Sequence, residues 1–176
     1  RQQVEGLIGK ALESQSRGDV SGALAAYEQV AAAGVRRPEV EYNLGLLYQQ
    51  AGRYREAVEH LTRTAKLSDY AMGSHFAIAQ CFKSQGDNDK AMEHFLAAAK
   101  AVNMAALGRG QADDIISLYR GLAEGYRMSG QSDKAVATVT SLIEALRTKG
   151  WEDKLSTASA ALQGLEAAPA PVVASE

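Results

Sequence analysis

Residues 38–67, PEVEYNLGLLYQQAGRYREAVEHLTRTAKL, decide how this chain folds. Leu44, Leu47, Tyr48 and Ala51 recur at helical spacing, Gly52-Arg53 interrupts the pattern, and the segment from Tyr54 to Leu67 resumes it. The stretch reads as two helices around a tight turn. Its phase returns along the chain. Gly18, Gly52 and Gly86 stand 34 residues apart, and five residues after each comes Ala23, Ala57 or Ala91. Tyr27, Leu61 and Phe95 follow the three glycines by nine residues, and Ala11, Gly45 and Ala79 precede them by seven. A fourth copy, with Ala123, Gly130, Ala135 and Val139 in the same relative places, returns after 44 residues instead of 34. In a chain with 16 glycines, agreement at several offsets separates a repeat from coincidence. A period of this size indicates a stacked array of two-helix units.

The offsets have a physical reading. A small residue in each first helix (Ala11, Gly45, Ala79, Ala123) and an alanine in each second helix (Ala23, Ala57, Ala91, Ala135) let two backbones approach closely. Larger side chains such as Tyr48 and Leu61 then fill the space beside them.

These residues resemble the tetratricopeptide repeat family, whose pattern is W-x2-L-G-x2-Y, then A-x3-F, then P, over about 34 residues. Leu44-Gly45, Tyr48, Gly52, Tyr54 and Ala57 carry the likeness best, followed by Ile78-Ala79, Phe82, Gly86, Ala91, Phe95 and Ala98. The first unit has Ser14 in place of the aromatic, and the fourth has Val139 at its late aromatic position. Leu7, Glu41, His75 and Tyr119 stand where the family has tryptophan, and the closing proline is missing. The resemblance covers roughly residues 4–149. It implies an all-α fold: a right-handed superhelical solenoid of four helix-turn-helix units, 4–37, 38–71, 72–115 and 116–149, with a capping helix at 150–166 and a flexible tail at 167–176. In the capping segment Trp151, Leu155, Ala158, Leu162 and Leu165 form one apolar stripe, which suits a helix that closes a repeat array against water.

Bulk properties narrow the function classes. At 176 residues and 46% hydrophobic composition the chain suits one folded solenoid domain, and a net charge of −2 argues against a general nucleic-acid or membrane-surface binder. The chain begins at Arg1 without methionine or a signal peptide, so it reads as a piece of a longer protein. The single Cys81 reads as a buried structural thiol, which suits a reducing, cytoplasmic setting.

The ten extra residues before the fourth unit are expected to lengthen two helices. Ala97 to Leu107 is nearly all helix formers and Gly108-Arg109-Gly110 is the turn signal, so the second helix of unit three is expected to run to about Leu107 and the next helix to start near Gln111. Met104, Leu107, Ile115 and Ile116 then offer an added contact surface for a partner or a second copy.

No constellation of catalytic groups stands out. His60, His75 and His94 lie 15 and 19 residues apart, away from metal-ligand spacing, and are expected to be surface or interhelix histidines. Asp113-Asp114 suits an acidic first helical turn, Gly108-x-Gly110 is too short for a phosphate loop, and Arg36-Arg37 reads as a solvated connector. No enzyme activity, cofactor or metal is expected.

The resemblance implies that positions two, five, nine, twelve and thirteen of each unit face a concave groove. On this sequence those places include Ile8, Leu12, Tyr42, Leu46, Gln49, Gly73, Phe76, Gln80, Lys83, Arg120, Glu124 and Arg127, with Asn43 beside them. Ile8, Leu12, Tyr42, Leu46 and Phe76 form an apolar strip suited to apolar side chains, and Lys83, Arg120 and Arg127 make the far end basic, suited to acidic residues of a ligand. Clamping of a chaperone tail's carboxylate is disfavoured, because Ile8 and Leu12 occupy the places where that use needs lysine and asparagine. The expected function is a non-enzymatic interaction scaffold for a partner peptide or helix, without nucleic acid or membrane as ligand. The alternative is self-association within a longer regulatory protein.

Overall fold

The computed structural model describes residues 1–167, and from residue 168 onward the expected tail lies outside the described residues. The chain divides into two compact units, Arg1–Ala98 and Ala99 onward. The first holds α1 (Gln2–Ser16), α2 (Val20–Ala32), α3 (Pro38–Gln50), α4 (Tyr54–Thr64), α5 (Ala71–Ser84) and most of α6 (Asn88–Ala101). The second holds α7 (Ala112–Met128), α8 (Ser132–Thr148) and α9 (Leu155–Ala167), with 3-10 turns at Met104–Ala106, Arg109–Gln111 and Glu152–Lys154. No helix among the described residues is long and apolar enough to cross a membrane.

The periodic glycines end the first helix of each pair. Gly52 has φ +74°, the left-handed region that glycine enters without steric cost. Its N–H bonds the Gln49 carbonyl at 3.0 Å, and the Arg53 N–H reaches back to the Tyr48 carbonyl at 2.8 Å. This double closure satisfies carbonyls that the helix end leaves open and reverses the chain at once. The same two bonds recur at Gly18, Gly86 and Gly130.

The small residues do what their spacing indicates. Ala11, Ala79, Ala23 and Ala57 are fully buried, and a Cβ added at Gly45 would meet Leu61 Cγ at 2.4 Å. The α3 backbone therefore lies directly on the Leu61 side chain of α4, with Tyr27, Leu44 and Ile78 among the large side chains that complete this core. Cys81 belongs to the same core, where burial pushes its thiol up to about 11.

Glu41, in the family's tryptophan place, is also buried. Its carboxylate accepts from His60 Nδ1 at 2.7 Å, Arg63 at 3.1 Å and Arg36 at 3.2 Å. Burial alone would raise its pKa, but these bonds outweigh that and hold it below the usual carboxylate range. Arg36-Arg37 is a connector open to solvent, as expected, whose side chains are also ion-paired, Arg36 with Glu41 and Arg37 with Glu5 at 2.6 Å.

The segment between α6 and α7 differs from expectation. Helix α6 stops at Ala101 instead of running to about Leu107, and two 3-10 turns fill the gap before α7. The segment has partners outside itself: Lys149 Nζ, just past α8, donates to the carbonyls of Ala105 at 3.3 Å and Leu107 at 3.1 Å. Arg109 pairs with Asp153, and Lys154 with Asp113 at 2.9 Å. Within the second unit, the inserted loop is bound to the connection between α8 and α9. Ile115 and Ile116 are 1% and 4% exposed, so they belong to the packed interior and drop out of any added contact surface. Met104 and Leu107 remain half-buried on the loop.

Candidate functional site: the first-helix faces

In the first unit, the expected groove residues share the faces of α1, α3 and α5 at spacings of three and four. Leu12 is 54% exposed, while Ile8, Tyr42, Leu46 and Phe76 are half-buried. The Tyr42 ring lies 5.2 Å from that of Tyr70, and a Cβ at Gly73 would meet the Tyr42 hydroxyl at 2.3 Å. The glycine at the start of α5 therefore gives this tyrosine its place. Phe76 packs from the same helix onto Phe95 of α6, with centroids 6.1 Å apart.

The amides on this face bridge the helices. Gln49 Nε2 donates to Gln80 Oε1 at 3.0 Å, joining α3 to α5. Asn43 donates to the Tyr27 hydroxyl at 3.4 Å, and that hydroxyl donates to Gln15 at 2.9 Å. Each amide uses one of its groups in this way. Lys83 is exposed at the end of α5.

The second unit contains a deeper feature. An open cleft of about 790 Å³ lies between α7 and α9, floored by Ala123 and Val139. Arg120, Glu124 and Arg127 line its α7 wall at spacings of four and three, so one helical face presents all three. Arg127 grips Glu124 through two bonds, Nη2 at 2.6 Å and Nε at 3.0 Å. Two guanidiniums against one carboxylate leave the charged lining basic.

Ser156, Thr157, Ala160, Ala161, Gly164 and Leu165 of α9 form the opposite wall. Sequence reasoning placed Arg120, Glu124 and Arg127 but missed this wall. The signal was a pair of adjacent residues, mostly small, repeating every four, on a helix whose apolar stripe alone suggested a cap. Small side chains keep α9 from filling the space beside α7. The arrangement can receive an extended or helical segment. Among the described residues, no group of three or more His, Cys, Asp or Glu could hold a metal ion.

Comparison with known proteins agrees with this architecture. No curated protein matches the chain in sequence. Among solved structures it is similar to MamA (41-end) from Desulfovibrio magneticus RS-1, with 17% identity, a TM-score of 0.65, and 94% of each chain covered. It is similar to the apo form of RapI, with 16% identity and a TM-score of 0.76, covering 93% of this chain and 63% of that one. It also resembles TPR-like repeats from Podosopora anserina, with 20% identity and a TM-score of 0.57, covering 95% of this chain and 94% of that one. At these identities the likeness speaks for the all-helical repeat fold alone. Family models described as tetratricopeptide repeat match two consecutive stretches, and residues 42–69 and 73–101 of this chain are tetratricopeptide repeats.

Proposed function

We propose that the chain is a non-catalytic interaction scaffold that takes an extended or helical segment of a partner protein on its first-helix faces. The observation that carries this reading is the open cleft of about 790 Å³ between α7 and α9, with Arg120 and Arg127 on its wall. Its basic lining favours a segment bearing acidic residues, while Leu12, Tyr42, Leu46 and Phe76 of the first unit offer apolar contact. Burial of partner side chains contributes about 25 cal/mol per Å² of apolar surface, less the cost of ordering the partner.

A random-peptide phage library selected on the whole chain tests the proposal, followed by calorimetry with a synthetic peptide of the enriched sequence. Enrichment of acidic residues is expected, with affinity falling at least about tenfold in the Arg120→Ala/Arg127→Ala variant, a loss of about 1.4 kcal/mol. Affinity unchanged both there and in the Tyr42→Ala/Leu46→Ala/Phe76→Ala variant would overturn the reading. A mass that rises with concentration in light scattering would instead assign these faces to a second copy.

A further inference from the structure

We propose that His75 and His94 form a proton-operated latch on the α5–α6 hairpin, through which acid loosens the half of that hairpin that carries Phe76, Gln80 and Lys83. The geometry is specific. The two Nδ1 atoms are 3.1 Å apart and the ring centroids 5.3 Å apart. Those distances fit together when the rings lie edge to edge with both nitrogens near the line joining their centres. The contact is then an N–H···N bond, with one imidazole donating from Nδ1 and the other accepting. Phe82 of α5 packs on His94 with centroids 5.6 Å apart, so α6 is held to α5 through this ring from two sides.

The proton count follows from the bond. In the neutral pair, one ring carries its proton on Nδ1 and the other on Nε2. A first proton taken from solvent adds to the free Nε2 of the donor ring and leaves the bond intact. A second must add to the acceptor's Nδ1, replacing its lone pair with an N–H aimed at another N–H and setting two like charges in contact. The bond is lost and the rings separate.

The surroundings work in the same direction. Burial lowers the pKa of both rings, and charge on His75 lowers that of His94 further. Glu93, on α6 itself, opposes this for His94. Lys90, also on α6, holds its ammonium 5.4 Å from the Phe82 centroid, adding positive charge on that side of the stack. A histidine whose folded pKa is depressed contributes stability that is present above its unfolded value and is lost as pH falls.

The consequence for binding rests on the peptide-binding role of α5 proposed above; the latch itself does not. Imidazole nitrogen NMR and amide hydrogen exchange on the whole chain, between about pH 7.5 and about pH 4.5, test it against His94→Phe and His75→Gln, neither of which can complete the pair. Wild type should show one Nδ1–H and one Nε2–H tautomer, coupled titration, and protection factors over residues 71–101 that fall at least about tenfold in acid, while both variants change much less. Independent titration at ordinary values, or the same fall in wild type and variants, overturns the latch. Lost protection with peptide affinity unchanged supports the latch and removes α5 from the binding surface.

Discussion

Replacing Gly45 by alanine tests the closeness of α3 to α4. The added Cβ would lie 2.4 Å from Leu61 Cγ and 2.6 Å from Leu61 Cδ2, and Leu61 is fully buried, so it has nowhere to turn. Overpacking of this kind costs about 1–3 kcal/mol. Alanine's helix propensity returns about 1 kcal/mol, which leaves a net loss of about 0–2 kcal/mol. Gly9→Ala in α1 is the internal control, because an added Cβ there meets nothing within 4 Å. Both changes restrict the unfolded chain equally, so Gly9→Ala should stabilise by about 0.5–1 kcal/mol, and the difference between the two isolates packing. Urea unfolding followed by far-UV circular dichroism reads both midpoints, provided the slope stays constant. Leu61→Ala alone should cost about 2–5 kcal/mol, and the double variant should cost less than the sum because the new methyl occupies part of the vacated space. A Gly45→Ala midpoint that rises as Gly9→Ala does would refute the close approach.

Other consequences follow from the buried polar and sulfur groups and from the bound loop. Glu41's depressed pKa makes its contribution present above the unfolded carboxylate value and lost as pH falls through the folded one, so Glu41→Gln should flatten the acid limb of a stability–pH curve. At neutral pH the same variant should lose about 1–2 kcal/mol, because charge-assisted bonds to Glu41 are weakened while the exposed Arg36 and Arg63 stay solvated; equal acid limbs in the two proteins would contradict this. Cys81, fully buried with its thiol pushed up to about 11, should react with a thiol reagent only on unfolding, and rapid labelling in native buffer would place it elsewhere. Lys149→Met should release the Ala105 and Leu107 carbonyls and speed tryptic cleavage after Arg109 several-fold; unchanged cleavage would mean that Arg109–Asp153 and Lys154–Asp113 hold the loop alone.

The repeat was legible because its signals are local and unambiguous. Gly52 must follow the helix end where the chain turns at positive φ, and Gly45 meets Leu61 across that same single hairpin. What escaped the sequence depends on distant partners. Ala97 to Leu107 has the composition of a helix, yet Lys149, more than forty residues on, binds its carbonyls in a different conformation. Glu41 carries no sign of burial until His60 and Arg63 arrive from α4. Ile115 and Ile116 look available on a helix expected to project from the body, yet both are packed inside. The α7 side of the cleft followed from helical spacing, but its α9 side is defined by side chains too small to fill it.

The most direct test of the binding role is an amide chemical-shift map of the whole chain titrated with the phage-selected peptide. Changes in the second unit should concentrate at Arg120, Glu124, Arg127 and the 156–165 wall of α9. Changes concentrated instead at Tyr126, Lys134, Thr138 and Ser141, which line a separate depression between α7 and α8, would contradict the account.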